Sequence, residues 1–504
     1  MNFFNHKTLL LVLALLSATA CRKDFLDLQP IGTKLETNFY KTDKEVFEGV
    51  VAVYDVLQWG GTNGWTMKLG LLNTASDDCH AGGSDASDQP AWVAWDKFTL
   101  DPNLGPQRGL WNKNYAGIYR ANLILEKMDA GTIEGMTADK KARYAAEVKF
   151  LRAYFYFDLV RFFGNVPLIV KTLGADEIYK QSQSTPSVIY AQIEKDLKEA
   201  IATSQLPETV PTDELGRITK GAAKALLGKV LLFQNDNAKM GEAASQLESV
   251  ITSNIYRLET NFGNIFKPNN KFGVESVFEI VHSNNQRGGW ENFTNFTEGN
   301  YNVQYFGMRD FVGSEYASGW SFCPVSEDLA NFMKNDPRFA HTIVDGKALK
   351  AAGATYSAGF QNTDYFIKKY APLAEFKATT GESALNWGYN IKEIRLADVL
   401  LMAAEAFARS GNETKAKQYL NQVRSRVGLA ARTSSGATLL DDIATERRLE
   451  LATEGVRFSD LIRTNKAVSV LGGQGFKAGK HEFLPIPQQE IDISQGAMKQ
   501  NPGY

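Results

Sequence analysis

The sequence predicts a mainly α fold: tetratricopeptide-like helix pairs forming a scaffold, with a loop-rich irregular lobe containing short strands. Three observations carry that expectation. Apolar residues recur at three- and four-residue spacing in long stretches at both ends of the chain, as in Tyr144, Val148, Leu151, Phe155, Leu159 and Phe162. Two segments, Ala223–Phe233 and Ala397–Phe407, align without gaps and share Ala223/Ala397, Leu226/Leu400, Leu227/Leu401 and Phe233/Phe407. Each is followed by a polar turn and a second amphipathic stretch, and a helix–turn–helix of about 34 residues with small contact positions matches a tetratricopeptide repeat. Between them, residues 255–390 lose the helical period and hold short apolar runs, such as Val277 to Val281, among Gly, Asn and Ser clusters.

In chain order, residues 1–20 read as a lipoprotein signal peptide and stand outside the fold. His6 and Lys7 form a polar front, and Leu9 to Leu16 is an apolar run too short to span a bilayer. Ala18, Thr19 and Ala20 then give a small-residue cleavage site directly before Cys21. Ordinary secretion needs only the small residues; the adjacent cysteine predicts lipidation of Cys21. Ala18 stands where a lipobox usually carries Leu. Acyl chains on Cys21, at about 0.8 kcal/mol per buried methylene, would hold a soluble body on a membrane.

Residues 21–41 form an expected extended leader, carrying Pro30 and Gly32. An N-terminal helical region is expected over 42–254. It opens where Thr42 and Glu45 fit a capping box. Helices are expected over 109–129 and 138–163, the second closed by Gly164 and Pro167. Thr185 and Pro186 begin another. The irregular loop-rich insertion spans 255–390, and a C-terminal helical region spans 391–504. There Gly411 can close one helix and Asn412 can cap the next, and a single acidic–basic helix is expected over 440–463.

The composition narrows the function. The chain has 504 residues, 44% hydrophobic and 11% aromatic, which excludes general disorder. Basic residues number 55 and acidic residues 57, so no excess positive charge is available for a nucleic-acid backbone. Three cysteines cannot make a disulfide framework, though Cys79 and Cys323 could pair in an oxidising compartment. The run Asp77, Asp78, Cys79, His80 cannot turn every side chain on one ion, and no metal or other cofactor is expected. No Gly-x-Ser-x-Gly, Walker A or His-Glu-x-x-His pattern is present. Arg152 and Arg395 sit inside helical blocks and are expected to pair with carboxylates, Glu147 or Glu405 being candidates.

Four blocks resemble the SusD/RagB family of outer-membrane nutrient-binding lipoproteins of Bacteroidetes. They are Cys21 to Pro30; Glu147 to Phe157 running on to Phe163–Leu168; Ile394 to Ala406 with Asn421–Gly428; and Glu446–Glu450 with Glu454–Phe458, Pro485–Pro487 and Gln500–Tyr504. They keep one order along the whole chain. The resemblance implies a non-enzymatic binding protein at the cell surface. It also implies a partner, a SusC-like TonB-dependent transporter on which the lipoprotein sits as a lid, and oligosaccharide cargo. Peptide cargo, a purely protein-binding repeat scaffold and a surface glycoside hydrolase using the Asp77–Asp88 carboxylates are the alternatives.

Carbohydrate recognition needs flat apolar faces for sugar rings and polar groups for hydroxyls. Residues 290–322 are rich in both, and 65–92 hold a second such group. The candidate ligand-binding residues are Trp65, Asp78, Trp92, Trp290, Asn292, Tyr301, Arg309 and Trp320. Gly or Asn neighbours suggest exposed turns for Trp290, Tyr301 and Trp320, and Trp92 is expected to be exposed with them. Trp95, Trp111 and Trp387 are expected to pack inside.

Overall fold

A computed structural model describes residues 39–60, 67–284, 289–290 and 298–504. Cys21, Trp65 and Asn292 lie outside the described residues. Helix α1 (Asp43–Asp55) begins with the expected capping box: the Glu45 amide donates to Thr42 Oγ1 at 3.3 Å, and the Thr42 amide donates to Glu45 Oε2 at 3.1 Å. Two short helices follow, α2 (Lys68–Thr74) and α3 (Pro90–Asp96), and then the long α4 (Gln107–Asp129) and α5 (Ala138–Phe163). Thr137 caps α5, and Gly164 ends it at φ 66°, a conformation that side chains with a Cβ resist.

The two-residue strands β1 (Val166–Pro167) and β2 (Gln183–Ser184) pair antiparallel and lead into α6 (Pro186–Ala202). Arg152 of α5 donates to both carboxylate oxygens of Asp196 on α6, at 2.7 and 2.8 Å. The expectation of ion pairing was right in kind but named the wrong acids. Glu147 instead serves Arg143 and Arg217, and Glu405 serves Arg463.

Helices α7 (Lys220–Phe233) and α8 (Met240–Ile251) form the first antiparallel pair of the matching segments. They approach so closely that a Cβ at Gly228 would run into Leu247. The insertion adds three elements of pairing: β3 (Ser276–Ile280), and the antiparallel β4 (Ile343–Asp345) with β5 (Tyr365–Ile367). A short helix, α9 (Tyr301–Phe306), lies between them in sequence. Strand β6 (Ile391–Arg395) then returns to pair antiparallel with β3, with an irregular register between Ser276 and Glu279.

The second pair is α10 (Leu396–Arg409) and α11 (Glu413–Arg426), with Asn412 capping α11 as expected. It stacks on the first: Lys415 and Tyr419 of α11 donate to Glu248 of α8, at 2.6 and 2.7 Å. This stacking of helix pairs, with few short strands, gives the tetratricopeptide-like scaffold.

The single helix expected over 440–463 is two helices, α12 (Gly436–Leu451) and α13 (Arg457–Arg463). Thr453 at φ 65° and Gly455 at φ 73° turn the chain between them. Asn73 of α2 holds the turn, donating to Thr453 O at 3.0 Å and accepting from the Gly455 amide at 2.9 Å. A charge pattern of helical period ran through this break and concealed it.

A buried ion network joins the insertion to these helices. Arg338 donates to Asp336, Glu446 and Glu450; Arg395 at the end of β6 donates to Glu275, Glu450 and Glu454. Both guanidinium groups and the Glu446 and Glu450 carboxylates are almost wholly removed from solvent. Removal of one partner would leave the others charged and desolvated.

Candidate glycan-binding platform

The chain after α9 folds back on it. The amides of Gly319, Trp320, Ser321 and Phe322 donate to the carbonyls of Met308, Gln304, Gly307 and Tyr305, at 2.7 to 2.9 Å. The two segments touch backbone to backbone at Gly307 and Gly319, and a Cβ on Gly319 would collide with Gly307. This close approach lays Trp320 over Tyr305, with ring centroids 5.6 Å apart and planes 29° from parallel.

The stack continues in both directions. Trp290 lies on Trp320 at 5.9 Å and 25°, and Trp290 is 51% exposed. Inward, Phe322 lies 5.2 Å from Tyr305, and Trp92 of α3 meets Tyr305 edge-on at 5.6 Å and 86°. The result is a ladder of rings running from solvent at Trp290 into the core at Trp92. Its outer rungs supply the flat apolar face that a sugar ring requires, and its inner rungs fix that face in place.

A polar rim borders the platform. Arg309 Nη2 donates to the Trp320 carbonyl at 3.1 Å and to Asp88 Oδ2 at 3.0 Å. Asp88 also accepts from the Ser84 amide at 2.8 Å and from its hydroxyl at 3.0 Å. The segment before this turn is stitched to the platform, since the amides of Gly82 and Gly83 donate to Phe322 O and Ser321 O at 2.9 and 2.8 Å. Asp85 is exposed, and bonds from Ser87 hold its carboxyl below the usual range. Gln304 donates to Ser318 O at 3.1 Å and accepts from the Trp387 indole at 3.2 Å, which secures the far side of the fold-back.

The structure therefore brings Trp290, Trp320 and Arg309 together. Of the other described candidates, it buries Trp92, Tyr301 and Asp78. Trp92 is 1% exposed, because α3 turns its indole inward against Tyr305 and Phe322 rather than presenting it on a turn. Tyr301 is 2% exposed, as the first residue of a helix buried along its whole length. Asp78 is 1% exposed and accepts from Arg448 Nε at 3.0 Å; burial raises its pKa, opposed by that guanidinium. Its neighbour Asp77 accepts both Nε and Nη2 of Arg457, at 2.8 and 2.9 Å. These acids tie the segment after α2 to α12 and α13. Trp95, Trp111 and Trp387 are buried, as expected. Cys79 and Cys323 are both buried and free.

Tyr305 and Asp88 lie within the two candidate regions but outside the named ligand-binding residues, although one supports Trp320 and the other holds Arg309. A sequence signal for Tyr305 existed in Gly307 and Gly319, the two glycines that allow the fold-back. For Asp88 it is the pairing with Arg309 that no local signal shows, since that partner is distant in the chain.

Residues 274–504 match the SusD family, and residues 24–232 match a family described as starch-binding associating with outer membrane. A solved laminarin-binding SusD-like protein is 42% identical, with a TM-score of 0.86, covering 92% of this chain and 100% of its own. Surface glycan-binding protein A from Bacteroides thetaiotaomicron, solved in complex with laminarihexaose, is 30% identical with a TM-score of 0.82, covering 91% of this chain and 99% of its own. SusD-like protein P2 of Formosa agariphila is 28% identical over 523 residues, 98% of each chain.

Proposed function

The chain belongs to the SusD family, and from that premise we propose that it is a lipid-anchored protein of the outer-membrane surface that binds oligosaccharide and delivers it to a SusC-like TonB-dependent transporter, acting as its lid. The observation that carries the reading is the ring ladder ending in the half-exposed Trp290, with Arg309 and Asp88 at its edge. Rings stack on the sugar's apolar face while carboxylate, guanidinium and serine hydroxyl groups meet its hydroxyls. Relatives named for laminarin and laminarihexaose make a laminarin-type glucan the first cargo to expect.

Binding is reversible and no bond is broken. A hydrolase needs two carboxylates flanking a scissile bond. In the Asp77–Asp88 segment, Asp77 and Asp78 are engaged by arginines and Asp88 by Arg309, which supports binding over catalysis. Affinity electrophoresis of the mature chain through gels containing laminarin, starch or a mannan tests the reading. Retardation by at least one glycan, lost in the Trp290→Ala/Trp320→Ala variant, is expected; unretarded migration in every gel contradicts it. Co-purification of a barrel transporter with the chain tests the lid role.

A further inference from the structure

A cavity of about 60 Å³ lies where α2, α4, α5, α7 and β6 converge, and Lys68, Lys113, Arg161, Lys229, Glu393 and Asp398 are among the residues lining it. Glu393 lies in the field of Lys68, Lys229 and Arg161, and Lys113 lies in the field of Glu393, so the four cations gather about one carboxylate. Lys68 donates to Asp158 at 3.2 Å and to Glu393 at 3.0 Å, and Arg161 donates to Asp158, which matches two cations with two acids. The remaining two are short of acceptors. Lys229 reaches only Asp398 among the described residues, at 3.3 Å, and Arg447 takes the second oxygen of that carboxylate at 2.8 Å. Lys113 has no carboxylate partner among them and donates instead to the carbonyls of Leu57 and Trp59, at 2.8 and 2.9 Å. Both lysines are buried, Lys113 being 9% and Lys229 6% exposed. The neighbouring stretch of sequence, 61–66, supplies no charged residue.

An ammonium group carries three N–H donors and no acceptor, so Lys113 keeps one donor and Lys229 two beyond these bonds. Water brings as many donors as acceptors and leaves that excess in place. An anion only accepts, and it offsets the buried positive charge as well. We propose that this cavity binds one small inorganic anion, a halide, held by the ammonium groups that line it. The volume suits a monatomic ion beside a water or two, since one water needs about 10–15 Å³ by the same measure. Bound there, the anion would join the N-terminal helices to β6, the strand that leads out of the insertion. Lys113 couples the site to protons. Burial, and then Lys68, push its pKa from 10.5 down to about 7, with Asp158 and Glu393 opposing. Its charge also bears on the buried His282, and Arg161 and Lys229 line the same space. An anion favours the protonated ammonium, so binding weakens as pH rises above about 7.

Two measurements on the mature full-length chain test this. Crystals soaked in bromide are expected to show an anomalous peak in the cavity, within hydrogen-bond distance of the Lys113 or Lys229 ammonium. Replacing gluconate by chloride at constant ionic strength is expected to raise the melting temperature by about 1–3 °C at about pH 6, and by less at about pH 9. Lys229→Met should lose both the peak and the response to chloride. Bromide absent from the cavity, or confined to the protein surface, overturns the inference, whatever waters the cavity holds. An equal chloride response in the parent and in Lys229→Met overturns it too, because the stabilisation then comes from another site. Should that variant fail to fold, the bromide experiment on the parent decides alone.

Discussion

Gly319 and Gly307 meet backbone to backbone, and that contact sets Trp320 over Tyr305. A methyl group at position 319 has no room, so the fold-back would have to open. Gly319→Ala is expected to weaken glycan binding by about tenfold, since misplacing a supporting element by about an ångström costs that much or more. Near-UV circular dichroism should report the displaced tryptophan, while far-UV helical signal stays as in the parent.

Trp92 is expected to behave as a core residue. Trp92→Ala removes an indole packed between Tyr305 and Phe322 and should destabilise the chain by about 3–5 kcal/mol. Denaturant unfolding checks it. A loss of affinity with unchanged stability would mean that the indole reaches the ligand.

Much of the scaffold was legible in the sequence, and the reasons are physical. The capping box at Thr42 and Glu45, the stripe of α5 with its Gly164 stop, and the Asn412 cap are local signals, satisfied within a few residues. The site was less legible because its order comes from long-range pairing. Trp92 and Trp290 both stand in polar, loop-rich stretches of sequence, yet Pro90 opens α3, which carries the first inward, while the second, after Gly289, remains half exposed. Asp78 reads in sequence as a ligand group, yet Arg448, distant in the chain, holds it. The break between α12 and α13 depends likewise on Asn73, far upstream.

The buried network around Arg395 should be the most sensitive point of the C-terminal region. Arg395→Ala leaves Glu275, Glu450 and Glu454 short of a partner in a desolvated site, and a loss of about 3–5 kcal/mol is expected. Unfolding by denaturant should show it. A loss under about 1 kcal/mol would mean that the site admits water or that the carboxylates take up protons readily.

Acid stability should depend on His282. Burial pushes its pKa down from 6.5 to about 3, with the neighbouring Glu298 carbonyl opposing. The unfolded chain therefore binds a proton there that the folded chain refuses, and stability falls as pH drops below 6.5 toward about 3. Glu393, held by Lys68 at about 2 against an ordinary 4.5, adds its own loss only below 4.5. Between pH 6.5 and 4.5 the His282→Gln variant should therefore show a flatter decline than the parent. Parallel slopes would contradict burial of a neutral imidazole.

Membrane attachment is expected to depend on Cys21. In Cys21→Ser the chain should leave the membrane fraction and appear in soluble fractions, while its glycan binding is retained. Retention on the membrane would point to an anchor other than the lipid.

The most direct measurement is calorimetric titration of laminarihexaose into the parent chain and into Trp290→Ala. The exposed outer rung is removed while the ladder beneath it stays. Expected is measurable binding by the parent and a loss of about 1–3 kcal/mol in the variant, with no change in melting temperature. Equal affinity of the two proteins would show that the ladder does not hold the sugar.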